Sequence, residues 1–476
     1  WPPPQMLSAH DWNWFMSTPD KAPWENPFAD AVRRFGEAPF VETPAETLSF
    51  AEFHRRASAR CAGLSSQGIG VGACVCLPAA PTVETLLLWA ACWECGAGVC
   101  MADPAAPEDY AAARAAQAGC THLAGGSLPG SRSLHPPETA LVVFTSGSSG
   151  TPKAVCHGVV GMRHASRVTA AALDLRAGDR WLLSLPLHHV SGLSVVLRCA
   201  EVGAVCVLPP VGAPLVDVLR DTRPTHVSLV AAQVGRLLEQ RVAPPPSLRC
   251  ALLGGGPSSV PLIADALRSG YPIRNSYGMT ETFAMIAVSR PGAPADEVAA
   301  AAEVVEPGTV RLADGRIAAR GERLFLGYCR DGRLDSARDA DGFFVTEDRG
   351  TLDGDRLSVL GRADTVFISG GENVAPEEVE AALLRLDNVA DAVVVPVPHP
   401  EFGRVPAAFL RTRDGALPDI TVLRAALAEA LPRHCLPWAV FAWPSDAPAP
   451  SGKPDRAWWR ARADQLAAAP SSKRTL

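Results

Sequence analysis

At 476 residues the chain is longer than one hydrophobic core normally serves, so at least two domains are expected. Its 47% hydrophobic and 20% charged residues are those of an ordinary globular protein, and a formal net charge of −6 argues against a nucleic-acid partner. The thirteen cysteines are scattered, with no CxxC pair and no Cys/His cluster at zinc spacing, so they are expected to be reduced, mostly buried thiols of a cytoplasmic protein.

The opening WPPPQMLSAHDW has neither a basic n-region nor an apolar core, so no secretory signal is expected there. From Phe50 to Leu123 helical patterns (Phe50 to Gln67, Val83 to Cys95) alternate with short apolar runs (Ala73 to Leu77, Val99 to Met101). That alternation predicts βαβ units and a largely parallel sheet covered by helices. The longest apolar stretch, Leu86 to Met101, is broken by Glu94 and Gly96 and is too short to span a bilayer. Gly125 to Pro137, rich in Gly, Ser and Pro, reads as a surface connection.

Leu141 to Lys153, LVVFTSGSSGTPK, combines a buried-strand pattern with a phosphate-binding loop. Gly147 and Gly150 allow the backbone to approach an anion closely, so that successive N–H groups can point at it. Thr145, Ser146, Ser148, Ser149 and Thr151 add hydroxyl donors, and Lys153 adds a mobile point charge. The P-loop of ordinary NTPases needs glycine before the lysine and Ser or Thr after it; Pro152 and Ala154 break that pattern. The loop resembles instead that of the adenylate-forming superfamily of acyl-CoA synthetases, peptide-synthetase adenylation domains and luciferases. The resemblance implies an α/β fold: a large N-terminal domain of parallel-rich sheets flanked by helices (1–361), a hinge (362–365) and a small mobile α+β C-terminal domain (366–476).

Later motifs follow in the family's order. PLHHVSG at 186–192 resembles the segment near the acyl pocket and pantetheine tunnel, with His189 at the matching position and His188 replacing a more usual aromatic residue. Arg198 falls in the apolar run Leu193 to Cys199. A cation there needs a buried acid, an anionic ligand, or a path by which it snorkels to the surface. With Ser191 and Thr282 it is assigned to the acyl substrate.

The strands Cys250 to Leu253 and Ile273 to Ser276 deliver Gly254-Gly255-Gly256 and Tyr277-Gly278-Met279-Thr280-Glu281-Thr282 to one sheet edge, where α/β ligands bind. By resemblance the glycines lie against the nucleotide, Tyr277 stacks on adenine, Thr280 bonds phosphate or carboxylate, and Glu281 is the Mg²⁺ ligand. Pro291 to Pro307 reads as a surface loop or short helix. In Thr346-Glu347-Asp348-Arg349-Gly350, Asp348 matches the acceptor of two ribose hydroxyls, and a Glu replaces the usual Gly before it. Arg362 matches a second ribose contact and Asp364 the hinge. Gly370, Gly371, Glu372 and Asn373 match the loop of the thioester step. A helix should open at Ala375-Pro376, with Glu377, Glu378 and Glu380 at its positive end. Two strands, Val389 to Val397 and Ala407 to Leu410, and another helix complete the small unit. Lys453 in PSGKP matches the lysine that serves adenylation.

The resemblance thus implies ATP, Mg²⁺ and coenzyme A as co-substrates and Lys453, His189 and Thr280 as catalytic positions. A carboxylic acid would be adenylated, the small domain would rotate about Asp364, and a thiol would take the acyl group. Within the superfamily, WLLSLPLHHVSGLSVVLR, LLGGGPSSVP, SYGMTET and VPVPHPEFGRVPAAFL are most similar to the bacterial o-succinylbenzoate:CoA ligases of menaquinone biosynthesis. That gives Arg198 a second substrate carboxylate to hold. Another aryl- or acyl-CoA ligase, an adenylating enzyme serving a carrier protein, and a non-catalytic nucleotide-binding protein stay open as alternatives. Partners are expected to be small molecules, with no nucleic acid and no transmembrane segment; a homodimer is the oligomer to consider.

Overall fold

The computed structural model describes residues 24–106, 108–123, 126–127, 138–145, 153–256, 258–330, 333–370, 372–448 and 455–468. The chain packs as two compact units. The first runs up to Val227 and adds Met279–Ala284 and Gly321–Ala337; the second takes Ser228–Gly278, Met285–Arg320 and everything from Arg338.

In the first unit the expected βαβ rhythm appears as helix Phe50–Ser66, strand Cys74–Pro78, helix Val83–Glu94 and strand Gly98–Ala102. Ser49 and Thr82 start the two helices by accepting the N–H of Glu52 and Thr85. The strands belong to an eight-stranded sheet ordered 333–335, 327–330, 153–158, 139–145, 98–102, 74–78, 122–123, 126–127. Pairing is parallel among 74–78, 98–102, 122–123 and 139–145 and antiparallel from 139–145 onward to 153–158, 327–330 and 333–335. A second layer of this unit pairs Pro39–Glu42, Val205–Val207 and Arg180–Leu182 in parallel. Helices Val159–Ala172 and Val190–Val202 pack against each other.

Its core is aromatic: Phe28, Phe40, Phe53, Trp89 and Trp93 are buried against one another, each worth about 2–3 kcal/mol of burial. Trp93 also donates to the Ala140 carbonyl at 2.8 Å, tying the helix to the strand that leads into the phosphate loop. Eleven cysteines are free and buried, and the remaining two, Cys61 and Cys95, bring their sulfurs together. Helices 50–66 and 83–94 pack together and bring the two side chains into reach across 34 residues of sequence.

The second unit orders its main strands 310–313, 316–319, 344–353, 356–362, 302–304, 284–288, 273–279, 250–253. Cys250–Leu253 and Ile273–Met279 pair in parallel, whereas 284–288 with 302–304, 302–304 with 356–362, 356–362 with 344–353, 344–353 with 316–319 and 316–319 with 310–313 pair antiparallel. The 291–307 segment carries the short helix Ala295–Ala300 but also the strand Ala302–Val304, which pairs on both sides and so is not simply a surface loop. From Val389 the chain builds a three-stranded sheet (Val389–His399, Gly403–Thr412, Ala439–Ala442). One sheet face packs Val394, Ala408 and Leu410 on Val379, Leu383, Leu423 and Leu427; the other packs Val393, Val395 and Phe409 on Trp459 and Ala463. Helix Pro376–Leu383 starts with proline in its first turn, as expected, and its Glu380 is buried.

Candidate active site

Strand alternation and hairpin register place the phosphate-loop stems. Thr145 sits directly opposite Lys153 across the antiparallel pair 139–145/153–158, so both ends of the loop are fixed in the sheet. Ser146, Gly147, Ser148, Ser149, Gly150 and Thr151 lie outside the described residues, as do Gly371 and Lys453. Lys153 is exposed, and its ammonium stands 5.0 Å from the ring centre of Tyr328. Tyr328 lies on the neighbouring strand, opposite Val155, and donates its hydroxyl to Glu281 Oε1 at 2.6 Å.

Glu281 occupies the single turn Thr280–Thr282. Its carbonyl accepts the Phe325 N–H at 2.8 Å. Thr282 is fully buried, and its hydroxyl donates to the Ala284 carbonyl at 2.7 Å and accepts from the Met279 N–H at 3.2 Å. Thr282 therefore braces the turn from within. Thr280 is half-buried, and its backbone is bonded to His157, whose imidazole burial holds down to about 3. Sequence reasoning passed over both Tyr328 and His157.

In the same unit, His189 caps the helix Val190–Val202 without a side-chain cap bond, and its ring lies 4.3 Å from that of His188. Asp103 stands 3.9 Å from His188 Nδ1. The His189 ring keeps solvent contact, yet crowding by protein and then the neighbouring His188 hold it down to about 4, against the pull of Asp103. Desolvation lowers His188 as well. Ser191 lies in the helix's first turn, where its carbonyl accepts the Ser194 hydroxyl at 3.3 Å. Gly192 cannot be larger, because a β-carbon there would run into the Pro186 and Leu185 carbonyls.

Arg198 is 2% exposed, so it does not snorkel. Its Nε donates to the Thr169 hydroxyl at 3.0 Å and its guanidinium lies 4.9 Å from the Trp181 ring centre.

The second unit holds the other cluster. Gly254, half-buried after strand Cys250–Leu253, donates its N–H to Leu229, and a β-carbon on it would meet Ser276 Oγ at 2.9 Å. Gly255 takes φ 85°, a left-handed conformation that suits glycine, and Gly256 is half-buried beside it. Tyr277 donates its hydroxyl to Asp348 Oδ2 at 2.7 Å; Gly278 next to it is exposed. Asp348 pairs in register with Arg362, whose Nη1 approaches Asp348 Oδ1 at 3.3 Å. The rest of the Arg362 fork binds both oxygens of Asp364 at 2.7 and 2.6 Å. That bidentate bond is the main reason its guanidinium is held above its ordinary range.

Gly370 has φ 59° and donates its N–H to the Phe402 carbonyl at 3.0 Å. Glu372 and Asn373 are exposed on the strand Glu372–Val374. Asn373, Arg349, Ala363, Val366, Ala375 and Glu378 line a cavity of about 440 Å³.

A family model described as AMP-binding enzyme matches residues 28–132 and 124–329, and one described as AMP-binding enzyme C-terminal domain matches 378–453. The chain belongs to the AMP-binding enzyme family. The 2-succinylbenzoate–CoA ligase of Salmonella typhimurium is 33% identical over 78% of this chain and 84% of its own length. That of Escherichia coli is 31% identical over 79% and 85%. Among solved structures, an arginine-to-lysine variant of E. coli MenE with bound OSB-AMS superposes with TM-score 0.80 at 27% identity, covering 94% of this chain and 99% of that one. MenE from Bacillus subtilis with the acyl-adenylate intermediate OSB-AMP gives TM-score 0.77 at 25% identity, covering 95% and 99%. Among the described residues, no helix is long and apolar enough to cross a membrane.

Proposed function

We infer that this chain is an AMP-forming acid–CoA ligase that converts o-succinylbenzoate, ATP and CoA into o-succinylbenzoyl-CoA, AMP and pyrophosphate in menaquinone biosynthesis. The observation that carries this reading is the likeness, over more than four-fifths of their length, to two 2-succinylbenzoate–CoA ligases.

The chemistry follows from the charges to be managed. A carboxylate attacking the α-phosphate brings two anions together, and the protein must neutralise and align them. The Thr145 to Lys153 loop and Lys153 supply donors and positive charge. Glu281 offers the hard oxygen that Mg²⁺ prefers, and the remaining ligands of such an ion come from phosphate and water, so this donor fits. The ion arrives with ATP and neutralises phosphate charge. Tyr277, Asp348 and Arg362 are assigned to the nucleoside, with Gly254 to Gly256 and Gly278 leaving room beside it. Thr280 bonds phosphate or carboxylate. Arg198, Ser191 and Thr282 are assigned to the acyl group, Arg198 for its second carboxylate and Thr282 through the turn that it also holds.

Residues 362–365 are proposed as the hinge between a domain of residues 1–361 and one of 366–476. Rotation about Asp364 would exchange Lys453, serving adenylation, for the Gly370 to Asn373 face, serving thiol attack near His189. Lys453→Ala should then abolish adenylate formation while thioester formation from supplied acyl-adenylate survives; equal loss of both would contradict the division. A cytoplasmic setting, consistent with eleven free buried cysteines, and a homodimer, tested by light scattering, belong to the same proposal.

The deciding experiment is AMP release in the presence of ATP, Mg²⁺ and CoA, with o-succinylbenzoate compared against benzoate, a fatty acid and an amino acid. Selective release with o-succinylbenzoate, together with its CoA thioester, supports the reading. Release with a different acid moves the pathway, and an adenylate that free CoA does not discharge points to a carrier-protein thiol.

A further inference from the structure

Tyr328 belongs to none of the motifs read from the sequence, yet two charged positions of the site converge on it. Its hydroxyl donates to Glu281 Oε1 at 2.6 Å, and Lys153 Nζ lies 5.0 Å from its ring centre. The fold around it is built for that position. On the strand Gly327–Arg330, Cys329 turns into the buried cluster with Cys156, so alternation sends Tyr328 to the opposite face. Gly327 admits no side chain, since a β-carbon would strike the Asp335 carbonyl of the adjoining strand. Phe325, three residues earlier, fixes the Glu281 main chain through its N–H at 2.8 Å and sets its ring edge-on to Tyr328 at 4.8 Å. The segment 325–328 thus grips Glu281 at both its carbonyl and its carboxylate.

We propose that Tyr328 is a positioning residue for the ATP-activating half of the reaction: it orients the Glu281 carboxylate for Mg²⁺·ATP and steadies the Lys153 ammonium against its ring. A glutamate side chain left to itself samples many rotamers, and a lysine more; each freedom given up before binding is one that need not be given up at binding. The phenol donates to one carboxylate oxygen and leaves the other free to meet a cation. The aromatic face holds an ammonium without neutralising it, so the charge stays available to phosphate. This inference rests on the adenylating reading of the site.

The test is direct binding, with no acid present, so that no turnover occurs. Calorimetric titration of ATP at a series of Mg²⁺ concentrations is run on the wild type, Tyr328→Phe, Tyr328→Leu and Glu281→Gln. In Tyr328→Phe the Mg²⁺ concentration giving half-maximal ATP binding should rise about tenfold, the scale of one hydrogen bond to a charged group, and saturating Mg²⁺ should restore most of the ATP affinity. Tyr328→Leu should additionally weaken ATP binding at saturating Mg²⁺, because Lys153 loses its ring. In the Glu281→Gln background, Tyr328→Phe should add little further. An unchanged Mg²⁺ midpoint in Tyr328→Phe, with wild-type circular dichroism, would overturn the proposal while leaving the enzyme assignment standing. A wild type that binds no Mg²⁺·ATP would instead bring down the adenylating reading, and this inference with it.

Discussion

Tyr277 and Asp348, 71 residues apart, are joined by a 2.7 Å hydrogen bond from the phenol to the carboxylate. Asp348 is 9% exposed, and Arg362 approaches its other oxygen, so the carboxylate is oriented before any ligand arrives. If Asp348 receives the ribose hydroxyls, Asp348→Asn should weaken ATP binding by about 1.5–3 kcal/mol, since it replaces an ionised double acceptor. Tyr277→Phe keeps the ring and removes only the preset bond, and should cost about 1 kcal/mol. Calorimetric titration of ATP on both variants checks the ranking; a larger loss from Tyr277→Phe would shift the principal nucleoside contact to the phenol.

The buried imidazole of His157 predicts an acid limit. Its pKa is held down to about 3 by burial, whereas the unfolded chain protonates near 6.5. Between those values the unfolded state binds the extra proton, so stability is fully present above about pH 6.5 and falls as pH is lowered, by up to about 1.4 kcal/mol per pH unit from this group. His157→Phe should be less stable at pH 7.5, having lost the Thr280 contact, but its stability should fall less steeply toward pH 5. Urea unfolding at several pH values measures both slopes, and equal slopes would remove His157 from the explanation.

Arg198 predicts substrate selectivity. Arg198→Met keeps most of the side-chain length beside Trp181 and removes the charge. Under the proposed function, kcat/KM for o-succinylbenzoate should fall by about 10- to 100-fold, the loss of one charge-assisted contact, while turnover of benzoate, which has no second carboxylate, should change little. Proportional loss with both acids would make Arg198 a packing residue, held among Thr169, Trp181 and its other neighbours.

These contacts differ in how far the sequence announced them. The strand leading to Thr145 was legible because a β-branched run precedes glycines, hydroxyls and a lysine within 13 residues, and the βαβ rhythm from Phe50 was legible because periodicity is local. Tyr328 was not, since its meaning comes from pairing with Val155, a partner no local pattern predicts. The strand Ala302–Val304 escaped because three residues carry no period, and its surroundings are rich in Ala and Glu. The Cys61–Cys95 pairing depends on how two helices pack, which spacing alone does not reveal. Glu380 was read as an acid near a helix start; its burial is set by Arg456, 76 residues away.

That pair supports the last prediction. Arg456 donates to Glu380 Oε1 at 2.8 Å and Oε2 at 3.0 Å, to Glu377 at 2.8 Å and to the Val394 carbonyl at 2.7 Å, while Glu380 also accepts the Val394 N–H. The network fastens helices Pro376–Leu383 and Arg456–Ala468 to the strand Val389–His399. Burial already raises the Glu380 carboxyl above its ordinary range, with Arg456 as the main opposing influence. Arg456→Met should therefore destabilise this part of the chain by about 3–5 kcal/mol at pH 7.5, the usual result of stranding a buried charge. The sign with pH then separates this from lost packing. An acid whose folded pKa is raised binds its proton more readily when folded, so Arg456→Met should recover stability as pH falls from 7.5 toward 5.5, and Arg456→Met with Glu380→Gln should not show that recovery. Hydrogen exchange of the Val389–His399 amides at the two pH values reads the effect; protection in Arg456→Met that is no better at pH 5.5 would mean that the carboxylate is not the source of the cost.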